Sequence, residues 1–273
     1  MSRFLQIVKS RFRDTLVTLV ALFVGWEPRI HRIPFGPIKG KRICITFAVS
    51  PRMYLGIHEP WVARLAHDLI QPDDIVYDIG AHVGYTSLLF ASLASTGIVY
   101  AFEILPSTVG SFLRKTVESN DVHNIVIHNV GLAASARMIE LPIGPTMMTS
   151  LVSPPGMQKG ATDLCRVVSL DDYVIENKLR LPSLIKIDVE GAEVDCLLGG
   201  LKLIRKCLPK MIVEFHSADL LRKGYSILAP LGYTLITPKR TRVDDQMLSN
   251  MEQSYEENVL CLPRQSGIGG PVQ

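Results

Sequence analysis

Apolar and polar positions change period several times along this chain. Phe4, Ile7, Val8, Phe12, Leu16, Leu19, Val20 and Phe23 fall at helical spacing and define one face. Arg3, Lys9, Arg11 and Arg13 make the start of that helix basic, and Thr15 to Trp26 is almost wholly apolar. That run is shorter than the roughly 20 residues a helix needs to cross a bilayer. No small-residue cleavage site follows it, which argues against a secretory signal. Two readings stay open for residues 1–26. A basic amphipathic helix can lie on an anionic membrane surface. Alternatively the helix packs on the rest of the protein, or on a second subunit of a homo-oligomer. Pro28, Pro34, Gly36, Pro37 and Gly40 mark residues 28–57 as a linker, with a short β segment at Ile43 to Val49.

From about residue 58 the period alternates between strand and helix. Glu59-Pro60-Trp61 opens a helix through about Ile70. Strands are predicted at Asp74–Asp78, Ile98–Phe102, Ile125–His128, Leu184–Asp188 and Met211–His216. Helices are predicted between them, at Tyr85–Ser95, Pro106–Asn120 and Gly191–Cys207, the last split or kinked at Gly199-Gly200. Such alternation implies a parallel, doubly wound α/β sheet with right-handed crossovers. Tyr233–Thr237 and Asn258–Leu262 read as antiparallel closing strands. Between them and the third strand, Met138–Leu141 and Cys165–Val168 suggest an inserted hairpin. Its Pro142–Gly160 loop, with Met147-Met148 and Thr149-Ser150, is a candidate substrate lid. Ser169 is placed to cap the next helix. The domain should span 58–264, and the glycine-rich tail 265–273 should be disordered.

Composition narrows the class without naming it. At 47% hydrophobic and 20% charged residues, the chain has ample apolar surface for a core. Five cysteines form no C-x-x-C pair, so a disulfide scaffold is excluded and a reducing, cytoplasmic setting expected. A net charge of +3 does not point to nucleic acid.

Ligands of parallel sheets sit at the carboxyl ends of the strands. Asp78, Glu103 and Asn129 stand at three of those ends. Asp78-Ile79-Gly80-Ala81-His82-Val83-Gly84 forms a glycine turn that leads into Tyr85 and Thr86. Glycines there let backbone approach a ligand closely. Glu103, at the end of the next strand, can accept hydrogen bonds from both ribose hydroxyls. The spacing Gly80-x-x-x-Gly84 is not the G-x-G-x-x-G of a dinucleotide site. An acid directly before the turn suits an ammonium better than a pyrophosphate. S-adenosylmethionine carries such an ammonium and is the cofactor this pattern favours. The bland alternative is a mere turn with Asp78 as a helix cap.

A second cluster, Lys186-Ile187-Asp188-Val189-Glu190-Gly191-Ala192-Glu193, interrupts a strand that should be apolar throughout. A substrate site explains the charges; a strand-end ion pair of Lys186 with Asp188 or Glu214 is the simpler alternative. His123 and His128 face opposite sides of a strand, and no H-E-x-x-H motif or cysteine–histidine cluster occurs, so no metal is expected.

Asp78 to Gly84, Glu103, Ser169 to Tyr173, Ile185 to Glu193 and Val213-Glu214-Phe215-His216 together resemble the FkbM family of S-adenosylmethionine-dependent methyltransferases. The resemblance implies a seven-stranded class I, Rossmann-like fold and methylation of a hydroxyl on a sugar or other small natural product. It also implies cofactor contacts from Asp78, Gly80, Ala81, His82, Gly84, Tyr85, Thr86, Glu103 and Asn129. His82 departs from the asparagine usual in the family. Histidine is bulkier and can charge near pH 6.5. For catalysis, Asp188 ranks first as base or aligner and His216 second, with Glu190 and Glu214 as further candidates; Lys186 and Glu193 are expected supports. Two other functions remain in view: a nicotinamide-dependent oxidoreductase, disfavoured by the glycine spacing, and a non-catalytic, membrane-associated binding module.

Overall fold

A computed structural model describes residues 28–46, 50–142, 162–252 and 255–264. The predicted N-terminal helix, nearly all of the candidate lid and the 265–273 tail lie outside the described residues.

The chain enters through a hairpin, β1 (Arg29–Arg32) and β2 (Arg42–Ile45), then a short helix α1 (Pro51–Leu55) capped by Ser50 and a longer one, α2 (Pro60–Leu69). The alternating part follows as β3 (Ile75–Ile79), α3 (Tyr85–Leu93) and β4 (Ile98–Phe102). The next helix is α4 (Pro106–Thr108), which continues through a π turn at Val109–Leu113 into α5 (Arg114–Glu118). After β5 (Ile125–His128) come β6 (Gly131–Leu132), β7 (Arg137–Pro142) and β8 (Thr162–Val168), which form a separate three-stranded sheet. Helix α6 (Leu170–Glu176) is capped by Ser169, whose Oγ accepts from the Asp172 N–H. Then come β9 (Leu184–Ile187), α7 (Glu193–Gly199), α8 (Leu201–Cys207), β10 (Lys210–Phe215), α9 (Ala218–Leu228), β11 (Tyr233–Ile236), α10 (Asp245–Ser249) and β12 (Glu257–Pro263).

The main sheet has seven strands in the order β11-β12-β10-β9-β3-β4-β5. Only β12 runs against the others, pairing antiparallel with both β10 and β11. The expectation of two antiparallel closing strands is thus corrected: Tyr233–Ile236 runs with the parallel set, and the chain reverses only after it. The order, with β12 inserted between β10 and β11, is that of a class I methyltransferase sheet.

Strand period 2 divides the core between two faces. Ile75, Tyr77, Ile79, Ile185, Ile187, Met211 and Val213 pack with α6, α7 and α9 on one face. Val76, Leu184 and Ile212 pack on the other with α2 and α3. Ile33, Ile38, Ile43, Ile45 and Met53 join that second cluster. Residues 28–57 are therefore not a loose linker. Their prolines and glycines shape a hairpin in which Ile33, Ile38, Ile43 and Ile45 are as buried as any residue in the domain. The helix expected over Gly191–Cys207 breaks at Gly200 as the glycine pair foretold. A Cβ on Gly199 would meet the Ala133 carbonyl oxygen at 2.0 Å, so close backbone approach explains its glycine.

The glycine turn is held in the same way. Gly80 has φ +88°, and a Cβ there would stand 1.7 Å from the Asp188 carbonyl oxygen. The end of β3 therefore lies directly against the end of β9. Gly80→Ala combines a strained conformation with a backbone clash, and should cost about 3 kcal/mol or more. Urea unfolding measures this; a variant with unchanged midpoint would show that the two strand ends can part freely.

Candidate active site

Each parallel strand delivers its last residues to one edge, where a cavity of about 370 Å³ opens. That volume suits a small ligand. Its walls come from the glycine turn, the β4 end, the β6–β8 sheet, the β9 and β10 ends and the segment before α2.

The centre of the polar wall is Lys186, only 1% exposed. Its Nζ lies 2.9 Å from Asp188 Oδ2 and 3.8 Å from Glu59 Oε2. Asp78 is its Cα partner on β3. Burial alone would strip the ammonium of its proton, but Asp188, Glu59 and Asp78 reverse this and raise its pKa. Glu59 shows the reciprocal balance: burial pushes it up, yet Lys186 and His58 hold it down at about 2.

Asp78 is fully buried and accepts hydrogen bonds from Thr86 Oγ1 at 2.9 and 3.1 Å and from Ser87 Oγ at 2.5 Å. Burial nevertheless raises its pKa. It sits beneath the turn and is not part of the cavity wall. Asp78, expected to meet a ligand ammonium, anchors α3 through Thr86 and Ser87 and faces Lys186. Gly84 is likewise no wall residue; a Cβ there would meet Leu113 Cδ1 at 2.8 Å, so packing on the π turn explains it. Asn129 is also displaced from the wall, donating from Nδ2 to the Glu103 and Ile104 carbonyls. Gly80, Ala81, His82, Tyr85, Thr86 and Glu103 do line the cavity.

Glu103 accepts from the backbone N–H groups of His82 and Leu105, at 2.9 Å each. Burial raises its pKa despite these bonds. His82 occupies a left-handed conformation, φ 48°, which asparagine also tolerates. Burial drives its pKa down to about 4, so the charge that the sequence allowed near pH 6.5 does not develop.

His216 has the opposite fate. Its Nδ1 lies 2.7 Å from Glu193 Oε1, and its Nε2 3.4 Å from Glu190 Oε2 and 3.8 Å from Asp188 Oδ1. Burial opposes protonation, but Glu193, Glu190 and Asp188 outweigh it and push the pKa up to about 9. Its carboxylate neighbours thus favour the imidazolium over the neutral ring expected of a base. Glu214 is pushed up to about 8 by burial and by Asp188 and Glu59. Glu190, with φ 50°, is raised by burial and held back by His216.

Folding also gathers groups that the sequence did not connect. Ligand atoms of Asp188, Glu190 and His216 lie within 4.8 Å of one another, and Glu214, His216 and Glu256 do the same. The sequence contains no metal motif, yet this spacing is one a divalent cation could use; ion pairing to His216 also accounts for it. His58, Glu59, Arg137 and Glu256 line the cavity and were not singled out. Glu59 carried no signal beyond standing before the proline that opens α2.

The cavity suits a ligand with positive charge at one end. Asp188, Glu190, Glu214 and Glu256 face it, whereas its lysine and arginine are already paired, Lys186 with Asp188 and Arg137 with Asp195 at 3.2 Å. Among the described residues a pyrophosphate would meet carboxylates and no unpaired lysine or arginine, which counts against a nicotinamide dinucleotide. Glu103 with the apolar Phe102, Leu105 and Leu132 offers a ribose acceptor beside an apolar wall. These residues fit S-adenosylmethionine.

A profile described as the methyltransferase FkbM domain matches residues 78–235, over half of the chain. The chain belongs to the FkbM methyltransferase family. Its cofactor is S-adenosylmethionine. Among relatives of this FkbM domain, the hexuronic acid methyltransferase AglP of Haloferax volcanii is 28% identical over 160 residues, covering 57% of this chain and 62% of that protein. The 31-O-demethyl-FK506 methyltransferase FkbM of Streptomyces tacrolimicus is 25% identical over 196 residues, covering 61% and 75%. The crystal structure of an FkbM methyltransferase from Methylobacillus flagellatus KT aligns with a TM-score of 0.45 at 18% identity, covering 79% of this chain and 53% of that one.

The two raised pKa values set a pH dependence. His216 and Glu214 both bind their protons more tightly folded than unfolded. Between the ordinary and the folded pKa the native state holds more protons, so stability falls as pH rises. The His216 contribution is complete below about 6.5 and is lost as pH climbs through about 9. Thermal unfolding should therefore shift downward from pH 7 to 9, with a smaller shift in His216→Gln. An equal shift in both proteins would assign the effect to other groups.

Proposed function

We propose that this domain transfers the methyl group of S-adenosylmethionine to a hydroxyl oxygen on a sugar or other small natural product. The observation that carries this reading is Asp188, fixed by Lys186 at the end of β9 and open to the cavity. The names of two relatives, one for a hexuronic acid and one for a 31-O-demethyl compound, support an oxygen acceptor.

Bound S-adenosylmethionine supplies a methyl group on a sulfonium. Glu103 would hold its ribose hydroxyls, and the apolar wall at Phe102, Leu105 and Leu132 would keep water from the ring beside them. Asp188 accepts the acceptor's O–H with the lone pairs that Lys186 leaves free, and takes the proton as the oxygen is alkylated. His216, which Glu193, Glu190 and Asp188 push toward its protonated form, holds Glu190 and Asp188 in place by charge. Much of the rate comes from this alignment. The carboxylate-rich wall suits the hydroxyl face of an acceptor, so any carboxylate on the acceptor would point away from Asp188, Glu190 and Glu214.

Glu103→Ala should weaken S-adenosylmethionine binding about 10- to 100-fold, the loss of roughly 1.5–3 kcal/mol in charge-assisted hydrogen bonds. Calorimetry reads this, and equal affinity would move the ribose elsewhere.

Asp188→Asn should lower turnover by about 10²–10⁴ while cofactor affinity changes little. Turnover is also expected to survive EDTA. Near-wild-type turnover of the variant would remove Asp188 from catalysis. Loss on chelation, restored by Mg²⁺ or Mn²⁺, would assign Asp188, Glu190 and His216 to a cation instead.

A further inference from the structure

Between Glu27 and Glu59 the chain has no acidic residue, yet it carries Arg29, Arg32, Lys39, Lys41, Arg42 and Arg52. Folding concentrates three of these. Arg32 and Arg42 are Cα partners across the hairpin, and with Lys41 they line a shallow cavity of about 280 Å³ beside Ser119 and Asn120. Arg42 is held there by bonds through its backbone to the Asn120 side chain, at 2.6 and 2.9 Å, and from Nη1 to the Ser119 carbonyl. Arg32 Nε donates to the Gly40 carbonyl at 3.3 Å. Among the described residues no carboxylate pairs with Arg32, Lys41 or Arg42. The single acid in that wall, Asp121, faces His123 at 2.8 Å.

The same stretch exposes large aliphatic and aromatic side chains: Ile30 at 55%, Phe35 at 59% and Ile57 at 51%. Phe35 and Ile57 are brought together, since Gly36 lies directly on Gly56; a Cβ on Gly36 would stand 1.7 Å from the Gly56 carbonyl oxygen. Scattered apolar residues are ordinary on a surface, but a cluster edged by unpaired cations is not. A second copy of this surface would set cations against cations. Nucleic acid would use the cations but would have no use for exposed isoleucines.

We propose that the Arg29–Ile57 segment is a docking surface for an anionic lipid membrane. Headgroup phosphates lie between Arg32, Lys41 and Arg42, and Phe35 and Ile57 enter the interfacial layer. The surface adjoins the catalytic cavity, because Met53, His58 and Glu59, which follow the hairpin, form part of the cavity wall.

The full chain is tested by co-sedimentation with phosphatidylcholine vesicles, with and without phosphatidylglycerol. Wild type should bind only the anionic vesicles, more weakly as salt rises. The triple variant Arg32→Gln, Lys41→Gln, Arg42→Gln should bind them about a hundredfold less, near fivefold per charge. Phe35→Ser with Ile57→Ser should lower the binding that persists at high salt. S-adenosylmethionine affinity, unchanged in both variants, shows that they fold. The proposal is overturned if the folded triple variant binds vesicles like wild type. It is equally overturned if wild type retains an oligonucleotide but ignores anionic vesicles.

Discussion

A buried ammonium needs anions around it, and Lys186 imposes that need on most of the active site. Unpaired, it would cost several kcal/mol or lose its charge. It is surrounded instead by carboxylates from three separate stretches of chain: Asp78 from the glycine turn, Asp188 from β9 and Glu59 from the start of α2. Each reaches Lys186 only if its own element is in register. The pairing of Asp78 with Lys186, and of Lys186 with Ile212, fixes the three central strands at the edge where the cavity opens. One positive charge thus couples the cofactor turn to the acceptor wall.

Much of this could be read from the sequence because it rests on local rules. Apolar strands, a glycine turn, a capped α6 and a helix split at Gly199-Gly200 each follow from period or backbone geometry. Proximity across the sheet could not be read. Glu59 is more than a hundred residues from Lys186, and its only local trait is a following proline. The hairpin at residues 29–45 was misjudged because its prolines and glycines signal turns, while the burial of Ile33, Ile38 and Ile43 depends on α2 and α3 covering them. The direction of β11 was missed because antiparallel pairing with β12 constrains only their relative sense. Asp78, Gly84 and Asn129 stand out in the sequence, and the structure gives each a local partner that supports the turn and the strand ends.

His82 and His216 show why residue type alone does not assign a role. Both line the same cavity. His82 is walled in, and desolvation keeps it neutral. His216 stands among Glu193, Glu190 and Asp188, and their field overcomes the same desolvation. Two identical rings therefore stand in one cavity wall with opposite pKa shifts, His82 pushed toward the neutral form and His216 toward the cation.

The reversed strand β12 has a further consequence for biosynthesis. Because it runs antiparallel, its first residues lie at the edge where the other strands end: Asn258 bonds Glu214 at 3.1 Å, and Glu256 joins the cavity wall. A ribosome emits the chain from one end, so the glycine turn and Glu103 emerge long before these residues do. The side of the cavity built by Ile79 to Glu103 can form early, whereas the side at Glu214 and Glu256 stays open until about residue 258 has cleared the exit tunnel.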